Sequence, residues 1–358
     1  MKQNLYIFSD TQLKRNQNTL LFQKMDKKAN DDDFDEEVEY KSDEFFNDSN
    51  CIIPTGDKKF IPVETVNSIF AIGSISFNSR FLYFLSQNNI PLHLFSRNYK
   101  YGGSFVPPNE NSSGNSIVNQ VMFYNNYDKR LHLAKKIVTA SLNAIVSNLQ
   151  YYNYRGNNLL EAIEQIKENI FNISIAESVN EIMGFEGESR RVYYRTWQDI
   201  FVYPVNFYKR VKNPPNNMIN SLISYGNMIV YGTVLNEIRK TKIYPEIGFV
   251  HEIGDSKLPL VYDLADIFKP IIIDKTIFKI INHKMVNEKQ FFTKNNFCRI
   301  NKKAKQTFTE IIDEKLFTPQ SVSSFNTKMS YVNIIKEECY KLLKHFDNEV
   351  EYEPFNDN

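Results

Sequence analysis

The chain has 358 residues, a mass of 42.1 kDa and a formal net charge of +1, with 42% hydrophobic and 14% aromatic residues. This composition can fill a substantial interior, so it excludes a disordered chain, and the length suggests two domains. No run approaches the ~20 apolar residues that span a membrane, and the charged start MKQNLYIFSDTQLKRNQ is unlike a signal peptide. The three cysteines, Cys51, Cys298 and Cys339, are too few and too scattered for a disulfide framework or a zinc ribbon, which fits a reducing cytoplasm.

The first part of the chain, residues 1–105, predicts a small β domain. The runs NLYIFSD and NTLLFQK are short, rich in β-branched and aromatic residues and separated by a polar turn, which is typical of a hairpin. KKFIPVETV, SIFAIGSISF and IPLHLFS add strands bounded by Gly, Asn and Pro. Between the last two, NSRFLYFLSQNN has the spacing of a helix.

A dense acidic block interrupts this domain. Residues 31–49, DDDFDEEVEYKSDEFFNDS, carry ten acids and one Lys, so their net charge is −9 and the rest of the chain carries +10. Like charges at this density repel one another, and we therefore predict a solvated insertion at about 26–50. The basic remainder is expected of a protein that meets polyanions, although many enzymes are equally basic.

The pattern changes after residue 105. The run PPNENSSGNS concentrates Pro, Asn, Ser and Gly, and it predicts a linker over residues 106–117. From residue 118 to residue 358, apolar residues recur at three- and four-residue steps, which predicts an all-α domain. The run NPPNN supplies proline and asparagine start signals for one long helix of that domain. The predicted fold class is α+β, with a small β domain followed by a larger helical, catalytic one.

The helical part contains a possible set of metal ligands. Glu186 lies between two glycines in NEIMGFEGESRR, at or near a predicted helix start, and His251 stands in IYPEIGFVHE. LVYDLADIFKP places Asp263 and Asp266 on one helix face. Carboxylates and an imidazole can bind Mg²⁺ or Mn²⁺, which stabilises charge in phosphoryl transfer. Each candidate also has a purely structural explanation. Glu186 can be an acid in the first turn of a helix, His251 a hydrogen-bonded histidine, and Asp263 and Asp266 acids at a helix N-terminus. Spacing alone does not choose between these alternatives.

Four segments in this order carry a family resemblance. MGFEGESRRVYYRTW, KNPPNNMINSLISYGNMIVYGTVLNEI, IYPEIGFVHE and LVYDLADIFKPIIIDK together resemble the CRISPR-associated integrase of spacer acquisition. The N-terminal strands are also similar to that family's β domain, so the resemblance covers nearly the whole chain apart from the acidic insertion. It implies a metal-dependent DNA endonuclease and integrase, in which the 3′-hydroxyl of a captured DNA attacks a phosphodiester at the edge of a CRISPR repeat.

The resemblance also implies roles for individual residues. The family patterns G-x-E-G, G-F-x-H and D-L-x-[DE] place the catalytic metal ligands at Glu186, His251 and Asp266. Asp263 matches the leading acid of the third pattern, and it is expected near the ion or hydrogen-bonded to a ligand. Lys269 stands where the family frequently has Arg, and a lysine would contact a phosphate as a point charge.

The remaining candidate residues are basic or polar side chains that could contact DNA or support the ligands. They are Arg190, Arg191, Lys209, Arg210, Lys212, Asn220 and Ser224. The two arginines follow Glu186 by about one helical turn and are expected to reach phosphates or to brace the acid. The basic cluster before Pro214 also fits a solvated loop, and the two polar residues of the long helix also fit a cap, so these alternatives stay open.

The partners and cofactor follow from the resemblance alone. It implies Mg²⁺ or Mn²⁺, double-stranded DNA as captured duplex and as CRISPR repeat, a homodimer, and a second CRISPR-associated adaptation protein that bridges two dimers. No membrane is involved, and the expected location is the prokaryotic cytoplasm. The alternative is a DNA-binding assembly subunit without catalysis, which has no need of the three ligands.

Overall fold

The computed structural model describes residues 2–25, 58–96, 99–108, 114–212, 214–254, 257–294, 296–321, 327–347 and 350–356. The predicted acidic insertion lies outside these ranges. The chain divides into two compact units, residues 1–108 and 109–358. Strands dominate the first unit and helices the second, so the predicted α+β class is confirmed.

The first unit contains two four-stranded sheets. Its strands are β1 Gln3–Ile7, β2 Thr11–Asn16, β3 Thr19–Lys24, β4 Lys58–Pro62, β5 Val66–Ala71, β6 Ile75–Ser76, β7 Leu92–Phe95 and β8 Tyr101–Phe105. One sheet has the order β1-β5-β7-β8, and the other has the order β4-β3-β2-β6. The predicted hairpin of NLYIFSD with NTLLFQK was wrong, because NLYIFSD contains β1, which pairs in parallel with β5. The segment taken as the turn, TQLKRN, is itself β2, and it forms an antiparallel hairpin with β3 that turns at Gln17 in a left-handed conformation with φ of 52°.

Both sheets of the first unit and its helix share one hydrophobic core. The helix, α1, spans Ser79–Gln87, and the Asn78 side chain accepts a hydrogen bond from the Phe81 backbone N–H at its start. Leu13 of β2, Leu20 of β3 and Phe81 are fully buried in this core. The alternation of apolar residues in the strands is therefore satisfied within the unit.

The second unit consists mainly of helices. They are α2 Gly114–Asn125, α3 Tyr127–Tyr154, α4 Leu160–Ile175, α5 Val179–Arg195, α6 Trp197–Ile200, α7 Met218–Arg239, α8 Pro259–Lys269, α9 Lys275–Asn282, α10 Lys302–Phe317 and α11 Tyr331–Phe346. Helix α2 begins inside the stretch predicted as a linker. None of the helices in the described ranges has the length and apolarity needed to cross a bilayer.

The prediction that the second unit is all-α was wrong in one respect. Two short antiparallel hairpins follow α9: β9 (Phe291–Lys294) with β10 (Phe297–Ile300), and β11 (Gln320–Ser321) with β12 (Lys328–Met329). Strands of two to four residues are too short for an alternation pattern to be recognised among helical sequences.

Helices α7 and α8 form the centre of the second unit. Helix α7 is buried along nearly its whole length, and a β-carbon added at Gly226 would lie 2.7 Å from Ile273 Cγ2, so glycine permits a close approach here. Helices α8 and α9 are joined without a break by a π-helical segment, Pro270–Asp274. A π segment inside a helix changes the direction in which the following side chains point.

Candidate active site

Glu186 lies in the middle of α5, so the prediction that it stands at a helix start was wrong. The helix begins one residue after Ser178, whose hydroxyl accepts a hydrogen bond from the Glu181 backbone N–H, while the Glu181 carboxylate accepts from the Glu177 N–H. This capping signal precedes the two glycines, which lie inside the helix. A β-carbon added at Gly184 or Gly187 would meet nothing within 4 Å, so the surface beside Glu186 is open.

Arg190 joins two of the predicted ligands. It stands one turn after Glu186 on α5, and its Nε atom forms an ion pair with Glu186 Oε1. Its Nη2 atom lies 3.5 Å from Asp266 Oδ2 of α8 and donates a hydrogen bond of 3.1 Å to the Ser141 hydroxyl of α3. Because α5 and α8 both pack on α3, a single guanidinium can reach carboxylates that are 80 residues apart in the chain.

Asp266 has a second cationic partner on its own helix. Its Oδ1 atom forms an ion pair with Lys269 Nζ, three residues later. The Ser141 hydroxyl donates a 2.7 Å hydrogen bond to the Asp266 carbonyl, which ties α8 to α3 at this point. Lys269 Nζ lies 5.4 Å from the centre of the Tyr231 ring, a cation–π contact.

His251 is oriented by the buried carboxylate of Asp263. Asp263 Oδ1 lies 2.7 Å from His251 Nδ1 and accepts a 3.0 Å hydrogen bond from the His251 backbone N–H. Asp263 Oδ2 accepts from the backbone N–H groups of Phe249 and Val250 at 2.6 and 3.1 Å. With Nδ1 held by Asp263, Nε2 is the ring atom available to a ligand.

A glycine allows the segment before His251 to approach α8. A β-carbon added at Gly248 would lie 2.6 Å from Pro259 Cβ and 2.9 Å from Asp263 Oδ2. Only a residue without a side chain fits such a contact. The G-F-x-H pattern thus has a structural basis, since glycine brings three successive N–H groups to one carboxylate.

The charges of the site shift the pKa values of its members. Burial by itself raises the pKa of Asp266, but Lys269 and Arg190 outweigh it and hold that pKa at about 2. Burial also works against a charged imidazole, yet the hydrogen bond and the charge of Asp263 raise the pKa of His251 above its ordinary value. Asp266 is therefore ionised at neutral pH, and His251 holds its proton more firmly than a free histidine.

The predicted polar residues of α7 support a neighbouring loop. Asn220 Oδ1 accepts hydrogen bonds from the Val211 backbone N–H at 3.0 Å and from Arg210 Nη1 at 3.1 Å, and the Ser224 hydroxyl accepts from Arg210 Nη2 at 2.8 Å. Asn220 and Ser224 therefore hold Arg210. Burial lowers the pKa of Lys212, and the nearby cations Lys269 and Arg210 lower it further, which places Lys212 beside the ion pairs.

Two of the predicted DNA contacts stand apart from this cluster. Arg191 is exposed, and its side chain makes no hydrogen bond or ion pair with the residues that the structure describes. The side chain of Lys209 is exposed as well, while its carbonyl accepts a hydrogen bond from Asn220 Nδ2 at 3.2 Å. The structure thus brings two of the predicted ligands, Glu186 and Asp266, together around Arg190 and Lys269, and it leaves Arg191 and Lys209 at the surface.

Sequence analysis missed three residues of the site: Ser141, Tyr231 and Asp274. Ser141 and Tyr231 lie on other helices than the ligands, and nothing in the surrounding sequence distinguishes them. Asp274 is buried in the π segment, where burial raises its pKa to about 7 although Arg190 lowers it. Its signal was the single acid in the apolar run KPIIIDK, an unusual position for an unpaired charge.

The donor set of the site fits a divalent cation. In the described ranges, no three His, Cys, Asp or Glu side chains form a cluster arranged to hold a metal. Arg190 and Lys269 contact the carboxylates of Glu186 and Asp266 instead. Asp266 Oδ1 is buried and already faces a cation, Lys269 Nζ, in a position that a metal ion can take in its place. Glu186, Asp266 and His251 supply oxygen and imidazole donors of the kind that Mg²⁺ and Mn²⁺ accept.

Comparison with known proteins gives a consistent result. Residues 5–314 match the family model described as CRISPR associated protein Cas1. A CRISPR-associated endonuclease Cas1 of Fusobacterium nucleatum subsp. nucleatum is 34% identical over 99% of this chain and 96% of its own. One of Thermodesulfovibrio yellowstonii is 36% identical over 99% of each chain. The structure of a CAS1 protein from Thermotoga maritima has 30% identity, a TM-score of 0.79 and coverage of 98% and 99%.

More distant structures share the fold alone. A casposase bound to integration product has a TM-score of 0.80 at 18% identity, with coverage of 99% of this chain and 93% of its own. A Cas6-RT-Cas1–Cas2 complex has a TM-score of 0.75 at 16% identity and covers 97% of this chain and 35% of its own. A TtCas1–DNA complex has a TM-score of 0.56 at 14% identity, with coverage of 95% and 91%.

Proposed function

The chain belongs to the Cas1 family of CRISPR-associated endonucleases, and from this premise we propose that Glu186, His251 and Asp266 form its metal-dependent DNA-joining site. In the proposed reaction, the 3′-hydroxyl of a captured DNA attacks a phosphodiester at the edge of a CRISPR repeat. The result is a spacer joined to the CRISPR array.

The contact of Arg190 with both Glu186 and Asp266 carries this proposal. It shows that carboxylates from α5 and α8 meet at one cation. A charge on His251 also lowers the pKa of Asp266. Two carboxylates that converge on Arg190 can converge on a divalent cation in the same way once the guanidinium turns toward a phosphate. Mg²⁺ or Mn²⁺ bound there would neutralise charge on the phosphate and lower the pKa of the attacking hydroxyl.

The positively charged side chains of the site can contact the DNA phosphate. Arg190 and Lys269 pair with the carboxylates, and both can turn their charge toward a phosphate that enters the site. Lys212 lies among these cations and has a lowered pKa, so an approaching phosphate would relieve its repulsion. Arg210, held by Asn220 and Ser224, supports the loop that presents Lys212.

The reaction needs no energy-rich nucleotide. One phosphorus–oxygen bond forms to the attacking 3′-oxygen while another breaks at the target strand, and the proton of the attacking hydroxyl is balanced by one taken up at the leaving oxygen. The number of phosphodiester bonds is unchanged. Catalysis is then a matter of alignment and charge, which fixed side chains on packed helices provide.

The partners belong to the same proposal. Related folds occur in a Cas1 protein with DNA and in an assembly with Cas2. We expect this chain to bind double-stranded DNA, to form a homodimer and to join a second CRISPR-associated adaptation protein that bridges two dimers, in the prokaryotic cytoplasm.

The decisive experiment is a joining assay with matched histidine variants. A labelled duplex with 3′-hydroxyl ends is incubated with a repeat-bearing plasmid and Mn²⁺ or Mg²⁺. We expect joined product from the wild type, none with EDTA, and none from His251→Ala, which retains DNA binding. His132→Ala, which removes an exposed histidine of α3, serves as the control and should join normally.

The rival function is a non-catalytic DNA-binding assembly subunit. It predicts DNA binding without joining under all metal conditions, and it assigns no reason for a carboxylate buried against His251. Joined product that persists in His251→Ala would overturn the assignment of the site, because the imidazole is one of only three proposed ligands.

A further inference from the structure

The segment that carries His251, residues 244–252, is held by α3 as well as by α8. Asp263 of α8 accepts hydrogen bonds from three consecutive backbone N–H groups of this histidine segment. Arg130 of α3 binds it at two other points, the carbonyl of Phe249 and the carboxylate of Glu252. His251 lies between these two points in the chain, so one guanidinium brackets the proposed metal ligand.

The two contacts use different nitrogen atoms of Arg130. Nε donates to the Phe249 carbonyl at 3.1 Å, and Nη2 pairs with Glu252 Oε1 at 2.8 Å. Because the guanidinium is planar and rigid, it fixes the angle between these donors and so the relative placement of the two acceptors. The Arg130 side chain is 14% exposed, so water screens these contacts weakly.

Tyr124 of α2 braces the guanidinium. The Arg130 Cζ atom lies 4.5 Å from the centre of the Tyr124 ring, a cation–π contact. The Tyr124 hydroxyl donates to Glu252 Oε2 at 3.3 Å, while Arg130 binds the other oxygen. Arg130, Tyr124 and Glu252 therefore all contact one another. A side chain whose own rotamer is fixed in this way can hold another residue in one position.

The beginning of the histidine segment is anchored to α2. Gln120 of that helix is fully buried, and its Oε1 atom accepts from the Tyr244 backbone N–H at 2.8 Å. Its Nε2 atom donates to the carbonyls of Tyr244 and Ile247 at 3.0 and 2.9 Å. The chain thus approaches His251 from a fixed starting point, and the contacts of Arg130 determine its path from there.

Among the residues that the structure describes, Arg130 forms no hydrogen bond or ion pair with Glu186 or Asp266. The residues that it holds are neighbours of His251 in the chain, so its effect on the joining chemistry passes through that ligand. Asp263 fixes the imidazole at Nδ1, but the direction of Nε2 also depends on the backbone that carries the ring. A displacement of about 1 Å in an active site can cost about 100-fold in rate.

We propose that Arg130 is a positioning residue of the joining site, which orients His251 by holding the chain on both sides of it. This role rests on the proposed function, because it takes His251 as a metal ligand. Without Arg130 all three ligands remain, but the imidazole is no longer held at a fixed place relative to the two carboxylates. Residues that orient a ligand in this way contribute about 10–100-fold to metal affinity or activity.

Hydrogen exchange in the metal-free protein measures how firmly the histidine segment is held. Arg130→Met keeps an unbranched apolar stem and removes all the donors. The peptide with residues 249–252 should then exchange its amide hydrogens about tenfold or more faster than in wild type, because its N–H groups are protected while the segment stays in place. Glu252→Ala, at a 44% exposed position, removes the ion pair alone and should increase exchange about threefold, the size expected of a partly exposed pair.

Arg239→Gln is the matched control for the exchange experiment. Arg239 pairs with Glu246 of the same histidine segment at 2.5 Å, but in the described part of the chain it forms no hydrogen bond or ion pair with residues 249–252. Its loss should leave the exchange of residues 249–252 within about twofold of wild type. Unchanged exchange in Arg130→Met or in Glu252→Ala, or an equal increase in Arg239→Gln, would overturn the role of Arg130.

Manganese binding shows whether the hold acts through His251. Free Mn²⁺ is followed by its electron paramagnetic resonance signal in titrations of the protein without DNA, so no turnover is involved. Arg130→Met should raise the Kd for Mn²⁺ about tenfold or more. In the His251→Ala background the same substitution should change the Kd less than about twofold, because the side chain that it orients is absent. Equal effects in the two backgrounds would show a general effect on the fold and would overturn the positioning role.

The same titrations separate this role from the function on which it rests. If His251→Ala binds Mn²⁺ as tightly as wild type, His251 is not a ligand, and the proposed site and the role of Arg130 are both wrong. If His251→Ala binds Mn²⁺ weakly and Arg130→Met binds it as tightly as wild type, His251 is a ligand and the role of Arg130 alone is wrong.

Discussion

Replacement of Asp263 by asparagine tests how the site holds its histidine. The Asp263 carboxylate is buried and accepts four hydrogen bonds, three from the consecutive backbone N–H groups of Phe249, Val250 and His251 and one shared with His251 Nδ1. In Asp263→Asn, one oxygen becomes an NH₂ group that faces two N–H donors or the ring. At about 1.5–3 kcal/mol for each hydrogen bond to a charged group, loss of two predicts a destabilisation of about 3–6 kcal/mol.

The assay combines stability with function. Urea unfolding gives the free energy of unfolding, and the joining assay is run across pH with Mn²⁺ or Mg²⁺ in excess. Asp347→Asn is the control, since Asp347 is exposed at the end of α11 and its carboxylate accepts a hydrogen bond from Asn119 and from no other residue in the described part of the chain; the change in its free energy of unfolding should stay within about 0.5 kcal/mol. If Asp263→Asn unfolds with a free energy within about 1 kcal/mol of wild type and joins DNA as well, the carboxylate does not organise this segment.

Three other predictions follow from the charges of the second unit. Asp263 raises the pKa of His251, and only the neutral imidazole can bind a metal, so DNA joining should fall as pH decreases through that raised pKa. The fall should begin at a higher pH in wild type than in Asp263→Asn. Identical pH profiles of the two proteins would contradict the role of Asp263. Lys269→Ala should reduce DNA joining about 100-fold or more, because Asp266 and the phosphate lose a cation. Lys269→Arg keeps the charge, so its joining activity should stay within about tenfold of wild type. Equal losses of activity in both variants would refute an electrostatic role of Lys269. Burial raises the pKa of Asp274 to about 7, so its ionisation opposes folding as pH rises above the unfolded pKa near 4. Asp274→Asn should therefore be more stable than wild type at pH 8, by at most about 4 kcal/mol, and should lose this advantage toward pH 4. Urea unfolding at both pH values measures the difference, and a variant that is less stable at pH 8 would show that the carboxylate is favourably paired.

The sequence alone determined the α+β class, with a strand-rich part followed by a helical part, because alternation and helical spacing are local patterns. Short motifs such as G-F-x-H also led to the residues that we propose as metal ligands. The start of α5 was predicted beside Gly184 and Gly187, whereas the helix begins at the Ser178 cap. The hairpins after α9 were missed because their strands are too short to show a period.

Only the tertiary structure decided which side chains meet. Arg190 reaches Asp266 because α5 and α8 both pack on α3, and no local pattern records the direction of a side chain across three helices. The same packing buries Asp274 and leaves Asn148 Oδ1 without a partner. Contacts between residues far apart in the chain depend on how helices cross and on which faces they bury, and these are properties of the assembled core and not of any single segment.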